Sequence, residues 1–116
     1  MFHILVISAN RWFEPLGCYR DNVDNRALPI KVANFRGNIN WKNMTETIVK
    51  CSTATAEKDP SLQVFAVQYF GECYSGNDGL QRYNMYGALP YSNKITKNCW
   101  AGVGAAGINF VYKYAV

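Results

Sequence analysis

Tyrosine, amide, carboxylate and guanidinium side chains crowd into one short stretch, Tyr74-Ser-Gly-Asn77-Asp78-Gly-Leu-Gln-Arg82-Tyr83, and Trp100 follows Cys99 further along. A flat aromatic ring covers the apolar face of a sugar, while Asn, Asp and Arg side chains supply the donors and acceptors that match vicinal hydroxyls. In this reading Trp100 or Tyr74 stacks on the sugar, Asn77, Asp78 and Arg82 bond its hydroxyls, and Tyr83 walls the pocket. The segment from Arg20 to Arg26 is the second candidate, because Asp21, Asn22, Asp24 and Asn25 stand between two arginines beside Tyr19.

Other chemistries find fewer of the groups they need. Glu72 and Asp78, on either side of Gly76, form the one carboxylate pair in this region, and a glycosidase uses such a pair. The single histidine, His3, would have to serve any Ser-His-Asp triad. Gly102-Val-Gly104-Ala-Ala-Gly107 spells the dinucleotide fingerprint, yet a strand-like segment follows it where that motif needs a helix, so the glycines are expected to make a tight approach before the last strand. The four cysteines show no CxxC spacing for zinc. No catalysis and no cofactor are expected, and calcium held by loop carbonyls with Asp21 or Asp24 stays open.

The elements that must hold these residues read as follows. Ile4 to Ile7 is a short apolar run, read as an N-terminal strand and far below the length of a membrane span. A helix begins near Asn43, with Glu46 placed to complete a capping box, and stops at Lys58-Asp59-Pro60. Ile48, Cys51, Ser52 and Thr55 share one face of it, with Val49 and Ala56 beside them. Gln63 to Phe70 alternates as a strand, with Val64, Ala66 and Gln68 on one face and Phe65, Val67 and Tyr69 on the other. A turn and partner strand follow at Gly71 to Gly76, and then a long aperiodic loop from Asn77 to Asn98. Ile108 to Val116 closes the chain as a strand with Phe110, Tyr112 and Tyr114 on one face. One helix over a mostly antiparallel sheet makes a small α+β domain spanning residues 1–116.

Composition supports a single domain with a core. The 116 residues are 49% apolar and only 17% charged, which excludes a disordered tail or a coiled coil. The net charge of +4 is spread without any Lys or Arg run, so no nucleic-acid partner is expected, and no stretch is apolar enough for membrane insertion. Cys18, Cys51, Cys73 and Cys99, even in number and widely spaced, fit two disulfides and hence an oxidising, extracellular setting. Three pairings are possible. We expect Cys51–Cys73, tying the helix to the following strand, and Cys18–Cys99, tying the first third of the chain to its end. Asn43-Met-Thr45 is an N-glycosylation sequon.

Several phrases carry a resemblance: Leu16-Gly-Cys-Tyr-Arg-Asp21, Arg26-Ala-Leu-Pro29, Met44-Thr45 with Cys51, Phe65-Ala-Val-Gln68 and Phe70-Gly-Glu-Cys-Tyr-Ser-Gly-Asn77. In this order and spacing they resemble a divergent WSC-type extracellular module. With Gly102-Val-Gly104 and Asn109-Phe-Val-Tyr112 added, the chain is more closely similar to cnidarian secreted modules that include octocoral galactose-binding lectins. The likeness runs from about Leu16 to Tyr112. Ser75 stands where the WSC pattern has a further cysteine. The resemblance implies a small extracellular domain with a helix on a sheet that binds carbohydrate, and we expect a secreted lectin for cell-surface glycans of the galactose or N-acetylgalactosamine type, multivalent as a homo-oligomer because single sugar sites bind weakly. An adhesion or matrix module binding protein through exposed tyrosines is the alternative.

Overall fold

Residues 11–115 are described by a computed structural model. In chain order they form β1 (Phe13–Arg20), β2 (Ile30–Asn34), a 3-10 turn (Arg36–Asn38), α1 (Thr45–Lys58), β3 (Val64–Gln68), β4 (Glu72–Ser75), α2 (Gly79–Arg82), β5 (Cys99–Trp100), β6 (Val103–Gly104) and β7 (Ile108–Tyr114). Five of the strands make one sheet in the order β1-β7-β3-β4-β2, every neighbouring pair antiparallel, and β5 and β6 form a separate small hairpin. The expected α+β architecture is the observed one.

All five residues of β3 are buried, as its central place requires, and its alternation divides the core in two. Phe65 and Val67 face α1 together with Cys18, Cys73, Phe110, Tyr112 and Tyr114. Phe65 stacks on Tyr112 at 5.1 Å, and Phe13 meets both rings edge-on at 5.2 and 5.5 Å. Val64 and Ala66 point the other way, packing with Leu28, Tyr74 and Val111 beneath Leu80 and Tyr83. The sheet is therefore covered on both sides, by α1 on one and by loops with the single-turn α2 on the other.

Helix α1 buries Thr47, Ile48, Cys51, Ser52, Thr55 and Ala56. Two of its buried polar side chains are hydrogen-bonded: Thr55 Oγ1 donates to the Cys51 carbonyl at 2.8 Å, and Ser52 Oγ donates at 3.4 Å to the Tyr114 hydroxyl, which itself donates to the Ser52 carbonyl. The capping box expected at Asn43 does not form. Met44 occupies the cap position without a side-chain bond, and the Glu46 carboxylate accepts from Asn40 Nδ2 at 2.8 Å instead. No helix among the described residues is long and apolar enough to cross a membrane.

Strands β1 and β2 escape the sequence reading, as does the small β5–β6 hairpin. Pro15 and Gly17 interrupt the alternation of β1, and the register against β7 shifts between them, the mark of a bulge that lets a strand carry such residues. On the far edge, β2 is short and only half-buried. The expected strand at Ile4 to Ile7, and His3, lie outside the described residues.

The strand expected to run to Phe70 ends two residues sooner. Tyr69 and Phe70 have φ of 52° and 68°, the pattern of a type I′ turn, which ordinarily selects Asn and Gly. Left-handed backbone costs a residue with a Cβ roughly 1–2 kcal/mol. Here the turn is held by Gly71 N–H to the Gln68 carbonyl (3.2 Å), Phe70 N–H to Gly104 (3.0 Å), Tyr69 N–H to Ala105 (3.2 Å) and Phe35 N–H to Gly71 (2.7 Å). Gly104 makes the close approach expected of its glycine segment, since a Cβ there would overlap the Ile108 carbonyl.

Both expected disulfides are present: Cys18–Cys99 joins β1 to β5 with Cα atoms 5.9 Å apart, and Cys51–Cys73 joins α1 to β4 at 5.4 Å. They close sequence separations of 81 and 22 residues. Opening the longer loop releases more chain entropy in the unfolded state. Replacing Cys18 and Cys99 by Ala should therefore cost roughly 4.5 kcal/mol and replacing Cys51 and Cys73 roughly 3 kcal/mol. Urea unfolding of the two double variants measures the difference, and a larger loss for the shorter loop would contradict the loop-length account.

Candidate binding site on the second sheet face

One row of the sheet is polar from edge to edge. Tyr19 pairs with Asn109, Asn109 with Gln68, Gln68 with Glu72 and Glu72 with Asn34. Gln68 and Asn109 are buried, so their amides need partners inside the protein. Gln68 Nε2 donates to Asn109 Oδ1 and to Asp21 Oδ2, both at 2.8 Å, and its Oε1 accepts from Arg26 Nη1 at 2.9 Å. The same Nη1 lies 3.3 Å from Asp21 Oδ2, whose other oxygen accepts the Ala27 N–H at 2.8 Å. Asn109 Nδ2 is buried with no hydrogen-bond partner among the described residues, at a cost of about 1–3 kcal/mol.

Arg26 is the outer member of this cluster. Its side chain keeps 24% of its exposure whereas that of Asp21 keeps 1%. The guanidinium lies over the Tyr74 ring, 4.4 Å from its centroid, and the Tyr74 hydroxyl donates to Glu72 Oε1 at 3.0 Å. Among the described residues, Nε and Nη2 of Arg26 hold no hydrogen bond. A fixed guanidinium with free donors thus stands near a half-buried carboxylate, and hydroxyl groups bind such a combination.

The two loops singled out in the sequence meet here. Arg82, from α2, donates through Nε to the Ala27 carbonyl (3.1 Å) and through Nη2 to the Arg26 carbonyl (2.9 Å). Tyr86 donates to the Asn25 carbonyl, and Tyr83 meets Tyr19 edge-on at 5.1 Å. Arg82 therefore positions the Arg26 loop with both of those nitrogens, and Tyr83 lies in the packing beneath it. Asn77 and Asp78 are exposed in the turn entering α2. Asn43 is exposed just before α1.

Two expected stacking rings are placed otherwise. Tyr74 is buried and lies under Arg26, serving as a floor for the guanidinium. Trp100 packs against the α1-side core, whereas Tyr74 and Tyr83 belong to the opposite side, so the three do not line one pocket. Glu72 is engaged with Tyr74, and Asp78 stands exposed at the start of α2. Both oxygens of Asp21, weighed as a calcium ligand, are engaged in hydrogen bonds, and Asp24 lies in an exposed turn closed onto Asn22 Oδ1. Among the described residues no group of three or more His, Cys, Asp or Glu side chains is arranged to hold a metal ion.

Reasoning from sequence missed the importance of Gln68 and Asn109. Their signal was a polar residue at a core-facing step of an apolar strand, legible only once the strands are paired. No family model matches this chain, and no curated protein matches it.

Burial, and then the hydrogen bond and charge of Glu72, push the Tyr74 hydroxyl up to about 12 from its ordinary 10.0. Tyr19 is raised too, by burial first and by Tyr83 second. A proton held more tightly in the folded state adds stability that is fully present below pH 10 and is lost as pH climbs to about 12. Stability should fall across that window, less steeply in Tyr74→Phe, as followed by urea unfolding at stepped pH. Asp21→Ala should cost roughly 2–3 kcal/mol, below the range for a fully buried pair because Arg26 reaches solvent. A loss under about 0.5 kcal/mol, the scale of an ordinary surface substitution, would show that the network does not hold the loop.

Proposed function

We propose that this chain is a secreted lectin that binds galactose-type glycans without altering them and becomes multivalent by self-association. The observation that carries the reading is Arg26, braced by Asp21 and Gln68 on a tyrosine floor, with Nε and Nη2 holding no hydrogen bond among the described residues and the Tyr74 hydroxyl beneath it bonded to the Glu72 carboxylate. Galactose differs from glucose in its axial O4, which sets O3 and O4 cis on neighbouring carbons and turns O4 out of the mean plane of the ring. A guanidinium donating to one and a carboxylate accepting from the other is the matching set. Exposed Asn22, Asp24, Asn25, Asn77 and Asp78 supply further polar groups on the same loops.

Two further features support the reading. The two disulfides suit an oxidising extracellular medium. The resemblance of the Leu16 to Tyr112 segment to octocoral galactose-binding modules points to the same sugar class. Single shallow sugar sites bind weakly, and several sites presented together raise avidity without new contacts. A protein-binding adhesion module is the competing reading, and a glycan array separates the two.

Haemagglutination is the direct test. Galactose and N-acetylgalactosamine should abolish it, whereas glucose and EDTA should not. Glu72→Gln should weaken galactose binding at least tenfold, about 1.4 kcal/mol, with the melting temperature little changed, and Arg26→Lys should weaken it as much while also lowering the melting temperature, because it disturbs the bonds to Asp21 and Gln68. Calorimetric affinities equal to the parent protein's in both variants would place the site elsewhere. No glycan bound on an array would favour the adhesion reading.

A further inference from the structure

Where α1 leads into β3, a cavity of about 240 Å³ opens beside the last residues of β7. Its lining includes Arg11, Ser61, Gln63, Lys113 and Tyr114, and among the described residues it holds no carboxylate. Backbone bonds fix its frame: Tyr114 N–H donates to the Gln63 carbonyl at 3.0 Å, and Ala115 N–H to the Trp12 carbonyl at 2.8 Å. None of its lining residues takes part in the Arg26 network.

Arg11 is held rigidly at this cavity. Its Nη1 donates to the carbonyls of Pro60 at 3.0 Å and Leu62 at 3.1 Å, which uses both N–H groups of that nitrogen, and the guanidinium lies over the Tyr114 ring, 3.9 Å from its centroid. Among the described residues Nε and Nη2 hold no hydrogen bond. Those two nitrogens share one edge of the guanidinium, an edge that takes two oxygens of a single oxyanion side by side. Lys113 is half-buried and its ammonium holds no hydrogen bond or ion pair among the described residues, although Glu14 stands opposite it on β1. The neighbouring acid, Asp59, accepts from the Ser61 N–H at 2.9 Å and from the Ser61 hydroxyl at 2.7 Å.

Two cations on one cavity, without a counter-charge in its lining, call for an anion. The unpartnered groups of Arg11 and Lys113 are donors only, and Gln63 adds an amide; a hydroxyl both donates and accepts, whereas an oxyanion only accepts. The volume lies below the roughly 300–1,000 Å³ of sites for drug-sized ligands, so the fitting ligand is a small group. A carboxylate would spend both oxygens on the Arg11 edge, while a tetrahedral group keeps further oxygens for Lys113 and Gln63. We infer that this cavity is a binding site for a tetrahedral oxyanion, sulfate or phosphate, held by the Nε–Nη2 edge of Arg11 with Lys113 as counter-charge. The site stands apart from the lectin reading and does not depend on it.

The test is titration of isotope-labelled protein with sodium sulfate and with sodium phosphate at fixed ionic strength, followed by NMR, with sodium chloride as the reference. The amide signals of Ser61, Gln63 and Ala115 and the Nε–H signal of Arg11 should shift and saturate with either oxyanion, and not with chloride. Arg11→Lys keeps the charge but loses the two-donor edge, and should weaken binding about tenfold. Lys113→Gln should weaken it about as much, and because that side chain has no bonded partner the variant stays informative even if Arg11→Lys is less stable. Lys58→Gln, which removes an exposed cation at the end of α1, outside the cavity lining, should leave the affinity unchanged. Methyl sulfate separates the sources: saturating shifts with it uphold a site for the group carried on a larger molecule, and saturation with the inorganic ions alone upholds a site for the free ion. Shifts that never saturate, an affinity that Arg11→Lys and Lys113→Gln both retain, or an equal loss in Lys58→Gln overturns the site.

Discussion

A glutamine in the central strand, facing away from the helix, imposes the main constraint on this fold. Gln68 lies at the one level of that face where the row across the sheet is polar, and a buried amide without partners would cost a few kcal/mol. Its partners come from the Asp21–Arg26 loop and from Asn109 on β7. Satisfying the amide therefore folds a surface loop down over the sheet, and that loop carries Arg26 to the rim. The fold and the proposed binding chemistry share one hydrogen-bond network.

On the opposite face, the same sheet is held by apolar packing. Phe13, Phe65, Phe110, Tyr112 and Tyr114 form a cluster of rings that α1 covers through Ile48, Cys51 and Ala56. Burial raises the proton affinity of the Tyr112 and Tyr114 hydroxyls. A helix with four threonines has modest propensity of its own, so packing and the Cys51–Cys73 bridge hold it in place. Cys18–Cys99 similarly anchors the irregular segment between α2 and β5, whose turns bury little. Division of labour between the faces follows: one is rigid and apolar, while the other carries loops and polar groups.

The hairpin joining β3 to β4 lies at the end of both faces. Its strained turn is tolerated because hydrogen bonds to Ala105, Gly104 and Phe35 determine the backbone whatever its residues prefer. Tyr69 is thus held outward by neighbours distant in sequence, while Phe70 packs against the α1-side core.

What the sequence determined by itself were the features set by local periodicity and by pairwise chemistry. Strands β3 and β7, their division into faces and the helix ending before Pro60 were legible, because alternation, helical spacing and Pro act over a few residues, and of the three pairings the four cysteines allow, the expected one is observed. The polar loops were legible as well, though as two candidates in place of one. Only the tertiary structure brought them together, through Arg82 on the Arg26 and Ala27 carbonyls, and only it moved Trp100 to the other core. It also decided that Glu46 serves Asn40 and not a cap, that β1 absorbs Pro15 in a bulge, and that Tyr69 leaves its strand. Apart from the Glu46–Asn40 bond, which spans six residues, the outcome in each case turns on contacts between residues far apart along the chain. Local pattern shows which groups seek partners, and packing decides which partners they find.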